Sequence, residues 1–459
     1  MRCICYRFLL SSLPPSRRHI SMARSAHPRT VVPDVSNRVR STDEPCIVKT
    51  KQMMASASRD VLSLAQGIVH WEPPLKALTA AAAAASDPRS HAYGPADGLP
   101  ELRSALEVKL VTENDLPNYA VMVTAGANQA FTNLVLTLTD ADDKVVLFRP
   151  YYFNHLMALQ MTGGSRHVLY GACRSDTLHP DLDWLERELR GPDRPKMVVI
   201  TNPCNPTGVL MTKEEVNRAA DLCHQFGAWF VLDNTYEHFV YNDSKKDDSA
   251  PPRAHYCASG PHVLHIFSFS KAFGMMGWRV GYIAYPKPSL GAAPQLGSEI
   301  LKVQDTIPIC ASTASQFVAL GAIQAGRSWV ENKVKSLGAS RDVVLGALAP
   351  LQPFGIYGGE GAIYVWAKLP PQYGSDSTAA DDSSAMKADE AVVEWLIQRH
   401  GVCVIAGSSC GCPGYIRVAY ANLEEALIRE AAGRLRAGLE ELVRDGMIQS
   451  FRSPEEESS

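Results

Sequence analysis

The chain has 459 residues, 46% hydrophobic and 20% charged, with a formal net charge of −3. That length can bury a large core and suits a two-lobed enzyme or two to three domains. The charge makes no electrostatic case for nucleic acid or an anionic membrane surface, and no apolar run of about 18 residues is present to span a membrane.

Residues 1–33 contain no Asp or Glu but carry Arg2, Arg7, Arg17, Arg18, Arg24 and Arg29 among several serines. This is the composition of an organellar transit peptide. A disordered extension, or translation starting at Met22, fits the same residues. Residues 1–42 are therefore set apart as an N-terminal extension. The alanine-rich run Leu78 to Ala85 reads as a helix with no chemistry attached.

From Val121 onward the text alternates short apolar strands with helices. Strands are expected at Val121 to Thr124, Lys144 to Phe148, Met197 to Thr201, Trp229 to Asp233, Val263 to Phe269 and Val280 to Tyr285. A helix is expected at Lys213 to Phe226. This alternation implies an α/β fold with a mostly parallel sheet covered on both faces. Ligands in such sheets bind at the carboxyl ends of strands.

Four of those strand ends carry candidate chemistry. Thr124-Ala125-Gly126-Ala127-Asn128-Gln129-Ala130 exposes backbone N–H groups at a helix start, a phosphate site in form but a common turn taken alone. Thr201-Asn202-Pro203-Cys204-Asn205-Pro206-Thr207-Gly208 is a rigid turn that can aim an Asn amide at a ligand oxygen; it also reads as a plain turn. Asp233-Asn234-Thr235-Tyr236 ends a strand with a semi-buried carboxylate that needs a cation or donors, or caps a following helix. Ser268-Phe269-Ser270-Lys271-Ala272-Phe273-Gly274, with Arg279 eight residues after Lys271, places a lysine past a buried strand beside phosphate donors. A lysine in that setting is costly unless its amine has a task, and covalent attachment of pyridoxal phosphate (PLP) is such a task.

Polar stretches Asn242 to His255 and Gln372 to Ser384 read as solvated loops. Beyond them a helix at Ala388 to Arg399 and strands at Val402 to Ile405 and Tyr415 to Ala419 suggest a smaller α+β lobe. The acidic tail Ser453 to Ser459 frays. The eleven cysteines show neither zinc-site nor C-x-x-C spacing, so reduced thiols and no metal are expected.

Taken together and in order, Asn-Pro-x-Asn-Pro-x-Gly, Asp-x-x-Tyr, Ser-x-x-Lys, Arg and a late Arg resemble the class I/II aminotransferases of PLP fold type I. The resemblance runs from about Ser63 to Met447. It implies a large PLP domain with a mostly parallel seven-stranded sheet (88–325), a small domain from 43–87 and 326–447, and a disordered tail (448–459). By the same resemblance Lys271 carries the cofactor, Asp233 pairs with the ring nitrogen, and Asn205 and Tyr236 contact the ring oxygen. Ala127, Asn128, Ser268 and Arg279 hold the phosphate, and Arg417 in Gly414-Tyr415-Ile416-Arg417-Val418 binds the substrate carboxylate. Lys271, Asp233 and Tyr236 are the catalytic set.

Softer matches add Tyr152 as the aromatic stacked on the ring, with His155 either behind Asp233 or capping backbone. Gly67 lets backbone approach the substrate. Tyr93 reaches the phosphate of a neighbouring subunit, which implies a homodimer with shared sites. Asn128 departs from the family, where many members carry an aromatic residue.

Leu64 to Pro74, Val123 to Phe131 and Phe269 to Trp278 resemble plant aromatic aminotransferases. These couple methionine to indole-3-pyruvate or phenylpyruvate and restrain auxin synthesis. That implies a ping-pong transaminase with a neutral Lys271 amine as nucleophile and proton carrier, and a cytoplasmic setting. A chloroplast or mitochondrial one follows if residues 1–33 direct import. His70, Trp71 and Tyr152 are candidates for an apolar side-chain pocket or for core. The same skeleton also resembles PLP lyases, an aminocyclopropane carboxylate synthase or a C–S lyase, and a cofactor-free regulatory protein on this fold is the remote alternative.

Overall fold

A computed structural model describes residues 33–163, 167–242, 252–374 and 383–447. The N-terminal arginines, most of the first polar loop, part of the second and the acidic tail lie outside the described residues. No described helix is long and apolar enough to cross a membrane.

The described residues form thirteen strands. The first is β1 (Leu62–Ser63), followed by β2 (Tyr119–Thr124), β3 (Val145–Phe148), β4 (Val168–Gly171), β5 (Met197–Thr201), β6 (Trp229–Asp233), β7 (Val263–Ser268) and β8 (Gly281–Pro286). After a helical stretch come β9 (Ile356–Gly358), β10 (Tyr364–Lys368), β11 (Val402–Cys403), β12 (Ile405–Ala406) and β13 (Tyr415–Ala419). The large sheet has seven strands in the order β2-β8-β7-β6-β5-β3-β4. Neighbours from β7 through β4 pair in parallel, and β8 runs antiparallel to both β2 and β7. Six strands therefore point the same way and end on one edge.

The apolar runs explain why these strands are central. Val145, Leu147, Met197 and Val199 face one core layer, while Val146, Phe148, Val198 and Ile200 face the other. Strands buried on both faces need continuous rather than alternating hydrophobicity. Helices Ala127–Leu138, Phe153–Thr162 and Leu296–Thr306 cover the first face. Leu182–Arg190 and Lys213–Phe226 cover the second. The last of these is bounded by sequence alone: Thr212 and Glu215 form a capping box at its start, and Gly227 closes it at φ +75°.

A four-stranded antiparallel sheet, β12-β13-β10-β9, forms the second layer. The expected strand Val402 to Ile405 is in fact two: β11 pairs with β1, and β12 joins the four-stranded sheet. The expected helix Ala388 to Arg399 begins at Ser383, and its last turn, Leu396–His400, is π-helical.

Candidate active site

Strand register assembles the site. Thr124 pairs with Gly281, Gly281 with Ser268, and Asp233 with both Ile266 and Thr201. The four chemistry-bearing turns thus leave the sheet along one edge. They open onto a cavity of about 250 Å³ lined by Ala127, Asn128, Tyr152, Asn205, Asp233, Tyr236, Ser268, Lys271, Arg279, Arg417 and Gly67. Tyr93, His155, His70 and Trp71 are outside it; Tyr93 is 82% exposed on the surface.

At one end, helix Ala127–Leu138 starts without a side-chain cap. Its first N–H groups lack intrahelical partners and point a positive end at the cavity. Gly126 stands at φ +84°, and a Cβ there would overlap the Arg279 guanidinium, so only glycine lets that cation lie against the helix start. Arg279 itself sits in the left-handed region at φ +53°, with Nη1 donating 2.8 Å to the Met276 carbonyl. Ser268 and Ser270 complete a cradle for an anion with several oxygens.

In the middle, Asp233 is 3% exposed. Its Oδ2 lies 3.1 Å from His155 Nε2, and its Oδ1 accepts from the Thr235 backbone N–H at 3.0 Å and hydroxyl at 2.7 Å. His155 packs against Phe131 and edge-on to Tyr152, so the carboxylate is held in one orientation. The Tyr152 hydroxyl accepts from Asn154 at 2.9 Å and donates to Asn128 Oδ1 at 3.4 Å. The asparagine that departs from the family pattern therefore has a partner in the aromatic residue. Lys271 Nζ has no hydrogen bond among the described residues. Burial, then the charges of Arg279 and Arg417, hold its amine down to about 8 from the ordinary 10.5.

At the other end, Arg417 is 2% exposed. Nη1 donates to Asn205 Oδ1 at 2.9 Å and Nη2 to the Ala65 carbonyl at 2.8 Å, while Nε is buried without a partner. Asn205 accepts through its oxygen, which leaves its amide donors for a ligand. Tyr364 lies against the guanidinium, with Arg417 Cζ 4.4 Å from its ring centroid, and its hydroxyl is 2.6 Å from that of Tyr236.

His70 and Trp71 do not line the cavity. Trp71 is buried against Phe239 with rings 6.3 Å apart, and His70 Nδ1 meets the Ala421 carbonyl at 3.2 Å. Their place is taken by residues that no motif marks for this role: Ile47, Gln66, Ile68, Phe153, Thr235 and Tyr364. Tyr364 sits in the apolar run Gly361 to Ala367, where a tyrosine reads as core. Ile47 arrives on helix Cys46–Ala55, which has no periodicity strong enough to mark it.

An anion cradle at an uncapped helix, a buried oriented carboxylate, a lysine with a depressed pKa and an arginine on the opposite rim fit a phosphorylated pyridine aldehyde. Such a group would explain the buried Asp233 and the unpaired Lys271 amine. The α/β fold is that of fold type I, and the chain belongs to the family Aminotransferase class I and II, whose match spans residues 59–435. It is a PLP-dependent aminotransferase acting on amino acids and 2-oxo acids.

Among relatives, the chain is 48% identical over 416 residues to the aromatic aminotransferase ISS1 of Arabidopsis thaliana, covering 90% of this chain and 98% of that one. It is 27% identical over 357 residues to a probable aspartate/prephenate aminotransferase of Aquifex aeolicus (strain VF5), covering 76% and 84%. Among solved structures, Thermus thermophilus aspartate aminotransferase with maleate superposes with a TM-score of 0.75 at 26% identity, covering 89% of this chain and all of that one. The aromatic aminotransferase from Pyrococcus horikoshii OT3 gives 0.69 at 27%, covering 85% and 99%.

Proposed function

We propose that this aminotransferase moves the amino group between methionine or an aromatic amino acid and an aromatic 2-oxo acid such as indole-3-pyruvate or phenylpyruvate, by ping-pong kinetics. One observation carries the substrate class. The cations lining the cavity are Lys271, Arg279 and Arg417, and each has a task under this reading. The wall left for a substrate side chain is Ile47, Ile68 and Phe153, which suits an aromatic ring or thioether rather than a second carboxylate. The Arabidopsis relative is named for aromatic substrates, which supports the same class.

PLP, when bound, supplies a ring that takes up the electron pair released as a substrate Cα–H bond breaks. In the proposed roles, Lys271 would hold the group covalently, and its amine, once freed, would take the proton from the substrate Cα and give it up again. An amine poised near 8 is neutral often enough to act as that base. Asp233, oriented by His155, keeps a proton on the ring nitrogen. Asn205 and Tyr236 would donate to the ring oxygen, and Tyr152 would lie against the ring. Ala127, Asn128, Ser268 and Arg279 hold the phosphate. Arg417 takes the substrate carboxylate, near Gly67. Tyr93, exposed on its own chain, reaches the phosphate of a second copy in a homodimer. A holoenzyme that sediments as a single chain would remove Tyr93 from the site.

The test is a donor and acceptor screen of the purified holoenzyme. Methionine with phenylpyruvate should yield phenylalanine, with parallel double-reciprocal lines as the co-substrate is varied. Preference for aspartate with 2-oxoglutarate would overturn the substrate class. Intersecting lines would overturn the ping-pong scheme. Elimination products without a new amino acid would favour a lyase.

A further inference from the structure

We infer that Tyr364 is a positioning residue for this reaction: its hydroxyl donates to Tyr236, freeing the single proton of Tyr236 for the cofactor's ring oxygen, and its ring braces the arginine that takes the substrate carboxylate. This rests on the assignment of Tyr236 proposed above and adds a residue to it.

The geometry is specific. Tyr364 lies on β10 and is 1% exposed. It pairs with Ala419, and Trp366 two residues on pairs with Arg417. Tyr364 and Arg417 are therefore diagonal neighbours on one face of the sheet, a spacing that an aromatic side chain can bridge. The Arg417 guanidinium sits 4.4 Å from the Tyr364 ring centroid, a cation–π distance in a desolvated setting. A Cβ on Gly67 would overlap the Tyr364 hydroxyl, so the chain opposite is kept bare where the phenol passes.

The hydroxyl cannot be explained by packing, because phenylalanine would fill the same space without a polar group to bury. Its partner is Tyr236, 2.6 Å away and 128 residues distant in the chain. Each phenol has one proton. If Tyr236 spends its proton on a ligand, only Tyr364 can donate in the bond they share. Chained donors polarise one another, so the relay strengthens the outer bond. The groups facing this pair are Arg417, the nearby cation, and Tyr152 and Cys410, whose phenol and thiol are pushed up by burial and stay neutral at ordinary pH.

Donation into the ring oxygen stabilises its negative charge and lowers the pKa read from the holoenzyme's visible absorbance. Tyr236→Phe should raise that pKa. Tyr364→Phe should raise it by less, and the double variant should match Tyr236→Phe alone, because the effect of Tyr364 passes through Tyr236. Placing 3-fluorotyrosine at position 364, a near-isosteric and stronger donor, should lower it; this arm stands even if Tyr364→Phe folds poorly. Tyr364→Phe should cut kcat by about five- to tenfold, the scale of one buried hydrogen bond, while leaving the Kd of 3-phenylpropionate unchanged. Tyr364→Leu, which removes the ring, should weaken 3-phenylpropionate by about tenfold. A shifted pKa in Tyr236→Phe with none in Tyr364→Phe or the fluorinated protein would overturn the relay. An unshifted pKa in Tyr236→Phe would overturn the assignment of Tyr236, and the relay with it. Unchanged 3-phenylpropionate binding in Tyr364→Leu would overturn the brace.

Discussion

Lys271 is held in a state that suits its chemistry and costs the fold. Its amine is buried beside Arg279 and Arg417 without a carboxylate partner among the described residues. A lysine whose folded pKa lies below its unfolded value binds protons less readily when folded. Between about pH 8 and 10.5 the unfolded chain therefore holds more protons, and stability rises with pH across that window. Below pH 8 the penalty is complete; above 10.5 it is gone. Lys271→Met keeps the stem and removes the charge. In cofactor-free protein it should stabilise by up to about 3 kcal/mol at pH 7, with the gain shrinking as pH climbs toward 10.5. Urea unfolding of both proteins at pH 7 and pH 10 checks this. An equal difference at the two pH values would mean that the charge is not what the variant relieves.

At the scale of elements, one buried ion pair ties a helix to the strand end that carries Asp233 and Tyr236. Lys109, on helix Pro100–Asn114, reaches Glu237 Oε1 at 2.8 Å and Asn114 Oδ1 at 2.9 Å, and its amine also lies 5.1 Å from the Phe267 ring centroid. Burial alone would raise the Glu237 carboxyl, but Lys109 with His238 and His255 pulls it down to about 2. Removing the lysine strands a carboxylate inside the fold. Lys109→Met should cost about 3–5 kcal/mol, and adding Glu237→Gln should restore part of it. Denaturant midpoints of the single and double variants measure both; a loss under about 1 kcal/mol for Lys109→Met would show that the pair is not structurally required.

The same scale shows what the sequence made legible. Strands Met197–Thr201 and Trp229–Asp233 and helix Lys213–Phe226 were readable to the residue, because buried parallel strands are short apolar runs and the helix carries its own capping box. Strand Val168–Gly171 was not: it is the sheet's edge, only its end residues are buried, and its text does not stand out. Turn chemistry marked Asn205, Asp233, Lys271 and Arg279, since prolines, glycines and hydroxyls at strand ends are unusual enough to read. Tyr364 and Ile47 were invisible because their part depends on partners far away in the chain. His70 and Trp71 drew attention by type, and tertiary packing gave them other neighbours.

Across the whole molecule, the site is a junction. The seven-stranded sheet brings Asp233, Lys271 and the anion cradle to one edge, the antiparallel sheet brings Arg417 and Tyr364, and the segment after β1 brings Gly67. Leu62 pairs with Val402, so β1 is closed against a strand 340 residues further along the chain. No single stretch of sequence holds both the lysine and the arginine proposed for the reaction, which stand 146 residues apart, by their numbers 271 and 417. The proposed mechanism requires Lys271 both to carry the cofactor and to move the substrate proton. The most direct measurement is Lys271→Ala in PLP-loaded protein, followed by absorbance, borohydride reduction and turnover of methionine with phenylpyruvate. Borohydride should fix no cofactor to the variant, and turnover should be lost. A variant that still fixes the cofactor on reduction, or still transfers the amino group, would contradict it.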